Sequence, residues 1–453
     1  MTITELERSL PSLETGKAMH RLAGELYPIC RSITGKGFRD SLSILTSQIP
    51  LKVHEVPTGT RVFDWTVPKE WNIREAWVRN ERGENVIDFA KSNLHILQYS
   101  VPVHVRLPLE ELKAHLFSIP EHPDWIPYRT SYYKENWGFC LTHRVLESLG
   151  EGTYEVLIDS SLAAGSLAYG EYLLPGKSED EVLISCHSCH PSLCNDNLSG
   201  MTLASTLARL LGQVDRHYTY RFLFIPGAIG SITWLARHQK KATRIKHGLV
   251  VACVGDGGSM TYKKSRRGDA EIDRAALHVL KHSGKQYRLE EFSPYGYDER
   301  QYCSPGFNLA VGSLSRTPHG QFPEYHTSAD NLEFVRAEYL EDSLATYLAV
   351  VRVLEENRIY VNQNPFCEPQ LGRRGLYRSM GGRTDQAVHE LAMLWVLNLS
   401  DGANALLDIA ERSGLSFDQI AVAADALSGV GLLRQKSPKS HPHTPTRRRR
   451  NTR

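Results

Sequence analysis

Apolar positions recur at helical spacing through GKAMHRLAGELYPICRS. After Gly35 to Gly37 they do so again through FRDSLSILTSQI, so residues 14 to 48 read as two helices. From residue 49 the pattern changes. Short β-rich runs (LKVHEV, AWVRN, NVIDFA) alternate with prolines and many aromatics, among them Trp65, Trp71, Trp77, Trp125, Tyr132, Tyr133 and Trp137. Such spacing predicts a small β-rich module over residues 49–149. Beyond it, strand and helix patterns alternate. TYEVLIDSSL, AYGEYLLPG and EVLISCH predict strands, MTLASTLARLLGQV a helix, YRFLFIP a buried strand and SITWLARHQ a helix. HGLVVACVGD, DRAALHVLKHSG and AEYLEDSLATYLAVVRVLEENR continue the alternation.

The fold class this predicts is α/β, with a mixed, mostly parallel sheet flanked by helices. Residues 1–48 and 150–362 form this domain around the inserted module, and functional groups are expected where its strands end. Residues 370–434 form a further unit, in which three helices with a break at Ser413-Gly414 give a helix-turn-helix pattern. Residues 435–453 contain no core-forming side chains and are expected to be a disordered basic tail.

Charge refines this division. The formal net charge is +2, but residues 435 to 453 carry seven Lys and Arg and no acid, which leaves −5 for the rest. The body is mildly acidic and argues against nucleic-acid binding. The third helical segment of residues 370–434 carries Asp418 and Asp425 and no Lys or Arg, so that unit is expected to pack or to pair subunits in a homo-oligomer rather than enter a DNA groove. The opening residues MTITELERSL lack the apolar core of a signal peptide, and no apolar run is long enough to span a bilayer. A cytoplasmic protein without membrane contact is the expectation. Eight cysteines in 453 residues do not make a disulfide scaffold.

The candidate chemistry concentrates in Cys186-His187-Ser188-Cys189-His190-Pro191-Ser192-Leu193-Cys194-Asn195-Asp196-Asn197-Leu198-Ser199-Gly200, on a loop between a buried strand and a helix. Imidazoles and a carboxylate within ten residues suit zinc. A structural zinc on Cys186, Cys189 and Cys194 is the weaker alternative, because no second CxxC exists to complete it. Ser199 lies in NLSG rather than a GxSxG elbow, and no glycine cluster makes a phosphate loop.

His187-x-Cys189 followed by Asn195-Asp196-Asn197-x-Ser199-Gly200 resembles the HxD…DDNxSG segment of the zinc aminopeptidase and glutaminyl cyclase superfamily. Asp256, closing VVACVGD, and His326, in Tyr325-His326-Thr327-Ser328-Ala329-Asp330, match its later ligand positions. More closely, ELYPICRSITG, FDWTVPKEWNI, YYKENWGFC, SRRGD, DERQYCSPGFN and PEYHTSADN resemble a bacterial group of aminopeptidase-like proteins with an inserted β module and a C-terminal winged helix. The resemblance implies a zinc-dependent hydrolase acting on a peptide or amide bond of a small substrate. It also implies His187, Asp196 and His326 as metal ligands, with Asp256 as a further one. His190, an imidazole the wider superfamily lacks, is a candidate ligand through its HxxH pairing with His187, in compensation for a missing Glu.

The departures matter equally. The superfamily's two adjacent glutamates are absent from Ile225-Pro226-Gly227-Ala228-Ile229-Gly230-Ser231, and Cys189 replaces the orienting Asp. Glu324 and Glu299 are therefore the candidates for the proton acceptor that zinc hydrolysis needs. Arg300, Tyr302, Arg266 and Arg267 are candidates for substrate contact, each also explicable as an ion-pairing or capping residue. A catalytically impaired scaffold and a winged-helix regulator are the rival readings.

Overall fold

The computed structural model describes residues 2–10, 13–376 and 383–436. The basic tail beyond residue 436 lies outside the described residues. The chain divides into two compact units, Met1–Glu355 and Glu356–Arg453. Among the described residues no helix is long and apolar enough to cross a membrane.

Eight strands build the central sheet of the first unit: β1 (Lys52–Pro57), β2 (Ser166–Leu174), β3 (Glu181–His187), β4 (Thr219–Ile225), β5 (Ile245–Val251), β6 (Met260–Lys263), β7 (Tyr287–Glu290) and β8 (Val311–Ser315). Their spatial order is β1-β2-β4-β3-β5-β8-β6-β7. The central strands β4, β3, β5 and β8 are mutually parallel, while β1 with β2, β2 with β4, and β6 with β8 pair antiparallel. Every residue of β3 and β4 is buried, which is why EVLISCH and YRFLFIP read as continuous rather than alternating apolar runs. Six helices cover the sheet: α1 (Leu13–Leu26), α2 (Lys36–Gln48), α3 (Gly200–Leu211), α4 (Ile229–Arg237), α5 (Glu271–His282) and α6 (Ala337–Glu356).

The inserted β-rich module has a four-stranded antiparallel sheet, in the order Asn85–Asp88, Glu70–Arg79, Thr153–Ala163, Val103–Pro108. Two segments fall on the other side of the expected limits. Thr153–Ala163 joins the module because Tyr154, Val156 and Ile158 are buried while the residues between them are not, the alternation of a half-covered sheet. Lys52–Pro57 instead forms the edge strand β1 of the central sheet.

Among the described residues the second unit holds three α-helices, Arg383–Leu399, Leu406–Ser413 and Phe417–Gly429. A small sheet accompanies them, ordered Asp401–Ala405, Ile359–Asn362, Leu433–Gln435. Gly414, at φ 74°, ends the middle helix in the left-handed conformation, and the Ser416 hydroxyl caps the last helix by accepting from the Gln419 N–H. The helix-turn-helix punctuation at Ser413-Gly414 thus has its structural counterpart here.

Candidate metal centre

The parallel strands β3, β4, β5 and β8 end on one edge of the sheet, and the residues of interest follow those ends. His187 closes β3, opposite Ile225 at the end of β4. The turn Pro226-Gly227-Ala228 therefore runs beside it, and a Cβ placed on Gly227 would lie 3.7 Å from the His187 Cβ.

The segment Asn195-Asp196-Asn197-Leu198-Ser199 divides its labour by position. Asn197 donates to the carbonyls of His187 (3.1 Å) and Val251 (2.9 Å). Its own side-chain oxygen accepts from the Cys253 N–H (3.3 Å). Asn195 accepts from the Gly255 N–H (2.9 Å) and donates to Asp256 Oδ2 (2.9 Å). The Ser199 hydroxyl accepts from the Val254 N–H (3.1 Å). These three stitch the loop after β3 to the loop after β5. Asp330 fixes the turn from the far side, its two oxygens accepting the backbone N–H groups of Asn195 (2.5 Å) and Asp196 (2.9 Å). Burial pushes the Asp330 carboxyl up to about 8 against the pull of those N–H donors.

Asp196, fully buried, is left to serve the imidazoles. Its Oδ1 lies 2.7 Å from His187 Nε2, and its Oδ2 lies 3.0 Å from His326 Nε2 and 3.7 Å from His190 Nδ1. One donor atom from each of His187, His190 and Asp196 falls within 4.8 Å of the others, a separation one ion can bridge. The His190 Nδ1 is buried with no hydrogen-bond partner. An unmet buried ring nitrogen among two imidazoles and a carboxylate is what a missing metal bond leaves, so the residues fit zinc.

The electrostatics agree. Burial opposes charge on His187, but the Asp196 carboxylate outweighs it and raises the ring's pKa. At His190 burial dominates and lowers it to about 3, so this ring is neutral at pH 7 and its lone pair is available. Burial would raise Asp196, yet His190 and His187 hold it well below the usual carboxylate range.

Aromatic rings close around the cluster. Tyr297 stacks on His187 (5.2 Å, 19°) and Tyr325 on His326 (3.9 Å, 13°). Tyr128, supplied by the inserted module, stands edge-on to both His190 and His326. The Tyr128 N–H donates to the His326 carbonyl (2.7 Å), Pro127 bridges to Thr327, and the Ser328 N–H donates to the Ile126 carbonyl (2.9 Å). Ser192, Ala228, Cys253 and His326 all have positive φ, 45°, 57°, 52° and 56°. Backbone strain in non-glycine residues gathers where surrounding structure enforces a functional geometry.

The remaining expected residues are placed differently. Asp256, expected as a ligand, stands outside the cluster. Its oxygens accept from Asn195, from the Thr317 N–H (3.2 Å) and hydroxyl (2.6 Å), and from the Gly258 N–H (2.6 Å), so it is a loop fastener. Cys253 is nearer the cluster, its Sγ 2.8 Å from the hydroxyl of Tyr297. Cys186, Cys189 and Cys194 are separate buried thiols, raised by burial, and belong to no metal-sized group among the described residues. Tyr302, expected at the substrate, lies in the core beneath β3 with its hydroxyl 2.8 Å from Ser185 Oγ. Glu299 is buried, with its Oε1 paired to Lys263 Nζ (2.9 Å) and its Oε2 left without a partner. Arg266 and Arg267 are tied to Asn308. Arg300 is half-buried, with its Nε buried and unpartnered. Glu324 is half-buried two residues before His326. Tyr128, Tyr297, Cys253 and Asp298 were not among the expected site residues; nothing in their local sequence marks them, because distant segments bring them in.

Comparison with known proteins accords with this architecture. A protein of Clostridium acetobutylicum, described as a candidate polysaccharide biosynthesis protein with an aminopeptidase-like domain, is 56% identical over 423 residues, covering 93% of this chain and 97% of that one. A crystal structure of a candidate peptidase from the same organism superposes with a TM-score of 0.92 at 53% identity, over 96% of this chain and 100% of that one. A zinc aminopeptidase from Bacillus subtilis shares the fold at a TM-score of 0.56 and 13% identity, over 76% of this chain and 96% of that one. Residues 358–435 match a winged helix-turn-helix family. Residues 20–357 match the family described as a domain of unknown function, DUF4910, and with three quarters of its length in that match this aminopeptidase-like chain belongs to the DUF4910 family.

Proposed function

We propose that this chain is a zinc-dependent hydrolase that cleaves a peptide or amide bond in a small substrate in the cytoplasm. The observation that carries the reading is the unpartnered, buried His190 Nδ1 within 4.8 Å of donor atoms on His187 and Asp196. His187, His190 and Asp196 would hold the ion, and His326, whose Nε2 lies 3.0 Å from the same Asp196 oxygen that His190 faces, would join them by a small shift. A zinc ion so held supplies a Lewis acid for the scissile carbonyl and lowers the pKa of water to about 7. The chain's own contribution is exclusion of bulk water by Tyr128, Tyr297 and Tyr325 and a fixed orientation of the imidazoles. The polysaccharide context in the description of the C. acetobutylicum relative is compatible with an amide carried on a sugar.

Metal analysis of the purified full chain tests this. About one zinc per chain is expected, lost in His187→Ala and in His326→Ala; a parent protein without zinc overturns the reading. A second reading, a metal-binding scaffold without turnover, is favoured by the Gly227-Ala228 turn, which offers no acid beside His187. Stoichiometric zinc together with inertness toward a panel of aminoacyl 4-nitroanilides, peptides and N-acyl amino sugars would select it.

A further inference from the structure

Amide hydrolysis consumes one water, and some group must take its proton and return one to the leaving nitrogen. The acids around the cluster differ in their freedom to do this. Asp330 is held by backbone N–H groups, Asp256 by four donors, Glu299 by Lys263, and Asp196 lies among three imidazoles.

Asp298 differs from all of them. It is 2% exposed, and its Oδ1 accepts from the Ala228 N–H (2.8 Å) and the Ser231 hydroxyl (2.7 Å). Among the described residues no donor reaches its Oδ2 and no Lys, Arg or His lies within ion-pair distance. Unlike Glu299 Oε2, which is buried without a partner, Asp298 Oδ2 is not a sealed atom, so a donor from outside the protein can reach it. Its neighbours place it at the cluster: Tyr297, the residue before it, stacks on His187. Ala228, which it holds, follows Gly227, where a Cβ would lie 3.6 Å from Cys189 Sγ and 3.7 Å from the His187 Cβ. The charges acting on Asp298 are those of His187 and Glu299, while the thiols of Cys186 and Cys189 and the buried phenol of Tyr302 respond to it.

We propose that Asp298 is the proton acceptor and donor of the hydrolysis, a role that rests on the metal-hydrolase reading above. As the water oxygen bonds to the carbonyl carbon, one water O–H bond breaks and its proton passes to Asp298 Oδ2. As the C–N bond breaks, the same proton passes to the departing nitrogen, so that water and amide become acid and amine and the carboxylate is regenerated. The donors on Oδ1 hold the carboxylate in place while this happens. The acid that the turn at Gly227-Ala228 lacks is thus delivered by a different loop.

The test is cobalt substitution of the full chain, with visible absorption followed from pH 5 to 9. Asp298→Asn is expected to keep its metal and to move the midpoint of the absorption change by at least about one pH unit, the size of effect a nearby charge exerts. An unchanged midpoint overturns the proposal while leaving the metal site standing. Loss of metal in Asp298→Asn also overturns it, since the residue would then be a ligand. A parent chain that takes up no cobalt and no zinc overturns both this role and the proposed function. Ser231→Ala retains the carboxylate but frees one of its anchors, and is expected to shift the midpoint less than Asp298→Asn. If Asp298→Asn does not fold, a Ser231→Ala midpoint identical to the parent overturns the proposal.

Discussion

The loops after β3 and β4 lie side by side, and they are built on opposite principles. The first, from His187 to Ser199, is buried and crossed by hydrogen bonds from Asn195, Asn197, Ser199 and Asp330, so that three potential metal donors are fixed in place. The second, Pro226-Gly227-Ala228, carries no ionisable side chain and leaves ordinary van der Waals room beside His187. On the proposed reading, the contrast makes gripping an ion and handling a proton separable tasks. Each can be probed by degrading the first loop or furnishing the second.

The largest effect is expected from His190→Ala. Because His190 Nδ1 has no other partner, its loss should weaken zinc binding at least about 100-fold, the upper end for a mere outer-shell partner. Competition with a fluorescent zinc chelator measures this; an affinity within threefold of the parent would exclude His190 as a ligand. Asp330→Ala should come next. It strips the acceptors from two buried N–H groups, costing about 1–3 kcal/mol in a urea titration of the metal-free protein and roughly 10- to 100-fold in zinc affinity.

Gly227→Glu furnishes the second loop. Since the added Cβ meets its neighbours at 3.6 and 3.7 Å, stability should stay within about 1 kcal/mol of the parent, and zinc content should rise above one per chain. A larger loss would mean the turn is closed rather than open.

The smallest effect concerns pH. Burial lowers His238 and His278, distant from these loops, to about 4 each from 6.5. Between pH 6.5 and 4 the unfolded chain therefore binds more protons than the folded one. The metal-free protein should be most stable above pH 6.5 and lose stability as pH falls toward 4. Replacing both histidines with Gln should flatten that decline in thermal melts.

Much of this was legible in the chain. The continuous apolar runs of β3 and β4 declared a doubly covered parallel sheet, His187 and Asp196 stood out as imidazole and carboxylate in one loop, and His326 was expected only from the resemblance of its motif. Partner choice was not legible. Asp256 has the right chemistry at the right strand, but Thr317 and Asn195 claim its oxygens, and which neighbours compete for a carboxylate is decided by segments 61 residues away on either side. Glu299 and Asp298 are adjacent in sequence, yet one faces Lys263 and the other Ala228 and Ser231. Tyr302 stood as a candidate for substrate contact because its four-residue helix, Glu299–Tyr302, is too short to show which face is buried. The edges of the module were also obscured, since Lys52–Pro57 and Thr153–Ala163 are both strands and only pairing tells which sheet each joins.

The bridge between Pro127 and Thr327, with Tyr128 clasping the His326 carbonyl, makes the inserted module a structural brace for a candidate ligand. Thermodynamic reciprocity then runs both ways: an ion that favours the seated His326 also firms the module, and any loosening of the module drains affinity from the ion. Zinc should therefore slow amide hydrogen exchange along residues 126–128, far from them in sequence though its ligands are.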